Sequence, residues 1–342
     1  MLDERKQKIL QAIVDDYITS AEPVGSRSIS RKPGMGLSPA TIRNEMADLE
    51  SLGYLEQPHT SAGRVPSPQG YRFYVDCLMR PQKISDREVA LITNWYETKV
   101  KNIEQVFQET VKMVSRMTRN VSLMVAPAPA KSLFKYVQFL PLDERRAIVI
   151  VVTDSGFVDN KVIDIPEGTS FHDLQEIANG INNHLAGLSF DQIKTSLLKE
   201  AKQDIMANPV LFEAALSVLR QALVVEGGER VYLGGTTQLL NQPEFREVEK
   251  IKGLLSMLEE EQLLCDILHM QDGDGVVVTI GQENKYSGIQ DCSMVQATYR
   301  VEGQVIGTMA VLGPTRMEYG KIITVLEFMH RHLGDILKKY KL

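Results

Sequence analysis

Arg43 and Asn44 stand side by side in the stretch "LSPATIRNEMADLE", and both residue types can read base edges in a DNA major groove. Arginine offers a two-donor fork to the paired acceptors of guanine, and asparagine matches the donor and acceptor of adenine. Thr41 and Ala47 bring methyl groups suited to thymine. Ser38 is a good N-cap, and Pro39 fits the first turn, so Arg43 and Asn44 fall in the first two turns of a helix. That is the end by which a recognition helix enters the groove. The helix N-terminus itself, with Ser38 and Thr41, suits a phosphate. Shortly after comes "HTSAGR", His59 to Arg64. Its small residues, Ser61 and Gly63 among them, let a backbone come close to another surface. Arg64 suits a narrow, electronegative minor groove, and His59 fits a phosphate contact and plain solvent exposure equally well. A polar helix face also fits a winged helix that binds protein. The loop favours DNA, since a hairpin that only joined strands is more often shorter and richer in Asn or Asp.

Other reactive residue types give less. "LGGTT" at 233–237 has glycines after a strand but no following Lys-Ser/Thr, so it reads as a tight turn and not a phosphate loop. "HMQDGDG" places His269, Asp272 and Asp274 close together without the distal Glu of a calcium loop. His330 and His332 flank Arg331 and point to different faces of a helix, and His172 follows a helix cap at Ser170. No Ser or Cys nucleophile has a visible partner. The expectation is a protein that is not an enzyme, with no metal and no cofactor. Cys77, Cys265 and Cys292 are odd in number and far apart, which fits a reducing, cytoplasmic setting.

The elements that must position Arg43 and Arg64 follow from periodicity. Residues 2–19 form an amphipathic helix, "SRSISRK" a short second one, and Ser38 to Leu52 a third with Ile42, Met46, Leu49 and Leu52 as its buried stripe. "YLEQ" and "RVP" are short strands around the loop, and a further helix starts at Ser67-Pro68. Helix, helix, helix, two-strand loop is the order of a winged helix-turn-helix. A linker lies near residues 81–85, and 86–119 reads as one long helix. A meander of three strands follows from 134 ("FKYVQFLPL", "RRAIVIVVTD", "FVDNKVIDI"), then helices near 170–187, 190–206 and 209–225. From 226 the pattern is mixed: the strand "RVYLGGT", a helical stretch at 243–269, the strand "GVVVTI", a hairpin, and a last helix over 318–341.

Composition sets bounds. The chain has 342 residues, 43% hydrophobic and 24% charged, ordinary for a globular protein with room for two or three domains. The net charge of −6 argues against bulk attraction to nucleic acid. Residues 1–80 hold ten basic and ten acidic groups, so DNA binding requires a positioned surface. The longest apolar runs, such as "AIVIVV", are strand-sized, so no membrane span is expected. The start "MLDERKQK" has no apolar core behind it and reads as lacking an export signal.

With "EPVGS", "SPATIRNEMADLE", "QPHTSAGR" and "GYR" in the first part, "PLDERRAIVIVVTD" in the middle and "VIGTMAVLGPTRMEYGKII" near the end, the chain resembles the bacterial heat-inducible transcription repressor family HrcA over essentially its whole length. The resemblance implies an α+β multidomain protein. Residues 1–80 would be the winged helix. Residues 86–125 and 226–342 would form a discontinuous GAF-like α/β domain, and 126–225 an inserted dimerisation domain built on a three-stranded antiparallel sheet with helices. It also implies a homodimer on an inverted-repeat DNA operator, control of chaperonin and dnaK operons, and support from the chaperonin. A GAF-like domain leaves open a ligand sensor whose winged helix contacts protein.

Overall fold

The computed structural model describes residues 2–59, 62–80, 82–99, 103–127, 133–153, 158–165, 168–188, 192, 229–269, 275–301 and 304–339. The chain opens with α1 (Glu4–Ser20), α2 (Ser26–Ser30) and α3 (Pro39–Ser51). The small ladder of β1 (Leu55–Glu56) and β2 (Val65–Pro66) follows, then α4 (Pro68–Phe73) and a π-helical turn, Tyr74–Leu78. Ile9, Leu10, Ile13 and Val14 of α1 meet Ile29 of α2 and the stripe Ile42, Met46 and Leu49 of α3, all buried. The stripe ends there. Leu52, expected to extend it, is the C-cap of α3 and is 51% exposed. The helix stops before its next turn can point that side chain inward.

The expected single helix over 86–119 is two: α5 (Asp86–Lys99) and α6 (Ile103–Thr118). Twenty-one residues of continuous helix would put Trp95 and Arg116 roughly 30 Å apart. Instead the Arg116 guanidinium lies 4.6 Å from the centre of the Trp95 ring, and Trp95 donates to Glu109 at 2.8 Å. The chain therefore doubles back. No Gly or Pro marks the break; packing of Trp95 selects it.

A five-stranded antiparallel sheet forms the centre: β3 (Val121–Pro127), β7 (Glu229–Gly234), β8 (Val276–Ile280), β9 (Cys292–Val301) and β10 (Gln304–Pro314), in the order β7-β3-β10-β9-β8. Alternation along β3 makes both faces apolar, as strand geometry requires. Met124 and Ala126 face α6 and α10 (Tyr319–Lys339), while Leu123 and Val125 face α8 (Val248–Glu259) and α9 (Glu261–His269). The stretch read as helical over 243–269 is thus a 3-10 turn and two helices parted at Glu260. The winged helix shares its core with the first of these layers, and Tyr71 meets Tyr319 with ring centres 6.1 Å apart.

Between β3 and β7 the chain builds a second sheet, β4 (Phe134–Pro141), β5 (Arg146–Thr153) and β6 (Val158–Asp164), in sequence order. One face carries Val137, Phe139, Val149, Val151 and Ile163 and packs on Leu174, Ile177 and Ile181 of α7 (Phe171–Leu185). Ser170 and Asp173 close a capping box at the start of α7. The helices read at 190–206 and 209–225 lie outside the described residues. Among the described residues, no helix is long and apolar enough to cross a membrane.

Candidate nucleic-acid interface

Helix α3 starts where Ser38 and Pro39 place it. The Ser38 hydroxyl accepts the Thr41 N–H at 3.1 Å and lies 2.9 Å from the Thr41 hydroxyl. Burial of Ile42, Met46 and Leu49 turns the opposite face outward, so Arg43, Asn44 and Ala47 are exposed and Thr41 is half-buried. Neither Arg43 nor Asn44 has a hydrogen-bond or ion-pair partner among the described residues. Their donors stand free at the start of an exposed helix.

The acidic residues of α3 would repel a phosphate backbone, yet each is countered from within the same small domain. Lys6 of α1 lies 2.8 Å from Glu45 and 3.2 Å from Asp48, and Arg5 lies 3.3 Å from Glu45. Hydrogen bonds to Glu45, then to Asp48, hold the Lys6 ammonium well above the usual lysine range. Glu50 is taken by Arg64: the Arg64 Nη2 lies 2.7 Å from its carboxylate, and Arg64 Nε donates to the same oxygen at 2.9 Å. What remains unpaired on the outer face near the N-terminus is a cation and an amide. Sequence reasoning missed Arg5, Lys6 and Glu50, because partners fourteen to about forty residues apart leave no local pattern.

The loop differs from its sequence reading in one respect. Its small residues do bring backbones together, but the surface approached is the chain's own "EPVG" segment. Val24 and Arg64 exchange two backbone hydrogen bonds, each 2.9 Å. A Cβ on Gly63 would sit 2.3 Å from the Val24 carbonyl oxygen, so only glycine fits. Arg64 is therefore not a free cation. Its backbone is tied to Val24, its guanidinium to Glu50, and its side chain is only 19% exposed. His59 is exposed at the loop, and Ser61 lies outside the described residues.

Two arginines join this domain to the central sheet unit. Arg72 of α4 pairs with Glu283 and donates to the Val278 carbonyl at 2.7 Å, and also meets Asp76 at 3.1 Å. Arg316 donates to the Ile18 carbonyl at the end of α1 and to Glu244 at 2.7 Å. Helix α3 and the β1–β2 loop are thus held on a body anchored at two points.

The remaining candidates for chemistry are structural. Gly235, of "LGGTT", adopts φ +72°, and a Cβ there would strike the Ser115 hydroxyl, so this is a tight turn against α6. His269 meets Glu229 at 2.9 Å, while Asp272 and Asp274 lie outside the described residues. His330 packs on Tyr299 and His332 stacks on Phe328. His172 lies 3.8 Å from Glu176 on the surface of α7.

Comparison with known proteins bears on the whole chain. Residues 1–74 match the family model described as a winged helix-turn-helix transcription repressor, HrcA DNA-binding. Residues 104–323 match that of the HrcA protein C terminal domain. A relative from Pelotomaculum thermopropionicum, named heat-inducible transcription repressor HrcA, is 46% identical over 99% of this chain and 97% of its own. One of the same name from Desulforamulus reducens is 45% identical over 99% and 98%. These relatives are named as repressors, not enzymes. A crystal structure described as that of a hypothetical protein superposes with a TM-score of 0.66 at 24% identity, covering 99% of this chain and 100% of that one, which shows the shared fold. With a winged helix followed by an α/β unit of antiparallel sheets, and relatives matching from end to end, the chain belongs to the HrcA family of heat-inducible transcription repressors.

Proposed function

We propose that this chain represses transcription by binding an inverted-repeat operator in double-stranded DNA as a homodimer, and that it governs chaperonin and dnaK operons. The observation that carries the DNA reading is the pairing pattern on α3: every carboxylate among Glu45, Asp48 and Glu50 has a cation, while Arg43 and Asn44 have no partner among the described residues. In this reading Arg43 and Asn44 take base edges, and Ala47 leaves room for the groove floor. Ser38, Thr41 and the helix N-terminus meet a phosphate. His59 and Ser61 approach the backbone from the wing. Gly63 and Arg64 act from behind, fixing the wing to the body.

In the division into 1–80, 86–125 with 226–342, and 126–225, the first part reads DNA, the second holds the reader and the third dimerises. One recognition helix covers only part of a turn of groove, so an inverted repeat calls for two copies. The second face of the β4-β5-β6 sheet supports the dimer role. Tyr136, Val152 and Val158 form one cross-strand row on it and Leu140, Ile148 and Val162 another. Tyr136 is 41% exposed and Val162 52%, an apolar face of the kind that marks protein contacts. Support from the chaperonin fits the topology. β3 must find β7 across an insertion of about a hundred residues, which raises the closure cost and prolongs exposure of apolar strands.

Footprinting on the DNA upstream of the organism's chaperonin and dnaK operons tests the proposal. Protection of both arms of an inverted repeat is the expected result. Protection that is the same on any sequence contradicts it.

A further inference from the structure

A cavity of about 630 Å³ lies where the end of α1 meets the central sheet unit, within the size range of small-molecule sites. Its wall carries three guanidinium groups (Arg116, Arg119 and Arg316), the carboxamides of Gln238 and Asn241, and one carboxylate, Glu318. Arg316 is committed to Glu244 and to the Ile18 carbonyl. Arg119 is not, and Arg116 is engaged by the Trp95 ring alone among the described residues, with its charge unmatched. Both are exposed, and neither has a carboxylate partner among the described residues.

Arg119 holds an unusual backbone. It follows the last turn of α6 with φ +56°, its N–H closing on the Ser115 carbonyl at 2.8 Å. Glycine ordinarily fills this left-handed position after a helix, because any Cβ is strained there. A cation also suits the negative end of a helix, but Arg116, one turn earlier, supplies one without the strain. The strained arginine adds a second uncompensated cation to the lining of the cavity.

We propose that this cavity binds a small phosphate-bearing molecule gripped by Arg116 and Arg119. A single carboxylate is saturated by one guanidinium fork, whereas a phosphate has oxygens for two. The carboxamides then serve the ligand's polar remainder. An occupied site lies against Arg316 and hence against the clasp that holds α1 and the winged helix.

The protein carries its own reporter, since Trp95 is the chain's single tryptophan and Arg116 lies over its ring. The full chain is titrated with inorganic pyrophosphate and followed by Trp95 fluorescence and by calorimetry, without DNA, so the outcome is independent of the repressor reading. The expected result is a saturable change in both signals. Binding should weaken at least tenfold in Arg119→Gly, a variant that relieves backbone strain and keeps the fold. It should be unchanged in Arg145→Ala, altered at the turn between β4 and β5, and sodium chloride at matched ionic strength should give no saturable change. Absence of saturable binding to millimolar pyrophosphate overturns the proposal, as does an unaltered curve in Arg119→Gly.

Discussion

Replacing Gly63 by alanine tests how the wing is held. The backbone of Gly63 is outside the left-handed region, so alanine suffers no conformational penalty there. The obstacle is contact. The new Cβ would lie 2.3 Å from the Val24 oxygen, 2.5 Å from the Val24 carbonyl carbon and 2.9 Å from that of Pro23, all backbone atoms that cannot swing aside. The wing must move off the "EPVG" segment, breaking both Val24–Arg64 hydrogen bonds. At about 0.5–1.5 kcal/mol net each, they account for about 1–3 kcal/mol. The partly exposed Arg64–Glu50 pair is pulled from register too and adds at most about 1 kcal/mol after solvent screening. The loss is local. Hydrogen exchange followed by mass spectrometry should show peptides spanning 54–68 exchanging faster by one to three powers of ten, roughly 1.4 kcal/mol per tenfold, with the central sheet unchanged. Gly25→Ala is the control: it sits beside Val24 with nothing within 4 Å, and although alanine is a poorer N-cap than glycine by about 0.5–1 kcal/mol, that loss falls on α2 and leaves both Val24–Arg64 hydrogen bonds in place. Equal protection in Gly63→Ala and wild type would refute the claim that the loop's glycine serves the protein's own backbone.

Arg64→Ala should weaken operator binding by loosening the wing while leaving the salt dependence of binding unchanged; a salt slope smaller by about one would show a direct phosphate contact instead. Val162→Asp, on the exposed sheet face, should yield a folded monomer by sedimentation, because burying an unpaired charge in an interface costs about 3–5 kcal/mol; a dimer of undiminished strength would place the contact elsewhere. Burial pushes the Cys292 thiol up to about 12 and the Cys265 thiol up to about 11. Native alkylation at mildly alkaline pH should therefore modify the exposed Cys77 alone, and rapid labelling of either buried thiol would contradict the packing around α9 and β9. Refolded from denaturant, the protein should regain operator binding poorly unless chaperonin and ATP are added; full, rapid recovery alone would remove the topological argument for chaperonin support.

Local signals carry α3. Ser38-Pro39 announces its start, the spacing of Ile42, Met46 and Leu49 names its buried side, and Arg43 and Asn44 follow on the other. Period-two alternation likewise marks β4, β5 and β6. What is not legible depends on residues far apart in the chain. Nothing between Asp86 and Thr118 breaks a helix, and only the docking of Trp95 on Glu109 and Arg116 reveals the turn. The charges of α3 look unfavourable for DNA until Arg5 and Lys6 arrive from α1. Gly63 reads correctly as a site of close approach but points to the wrong neighbour, since a glycine shows that something comes near without showing what. Leu52 fits the helical period, and the helix ends before the period applies.

Equilibrium binding of the full chain to an inverted-repeat operator, in competition with a scrambled duplex of equal length and at several salt concentrations, tests the central claim most directly. Wild type should prefer the operator. The exposed substitutions Arg43→Ala and Asn44→Ala should each cut that preference by about 1–3 kcal/mol, leaving affinity for the scrambled duplex and the melting temperature nearly unchanged. Equal weakening on both duplexes, or no preference in the wild type, would contradict the account of α3 as the element that reads sequence.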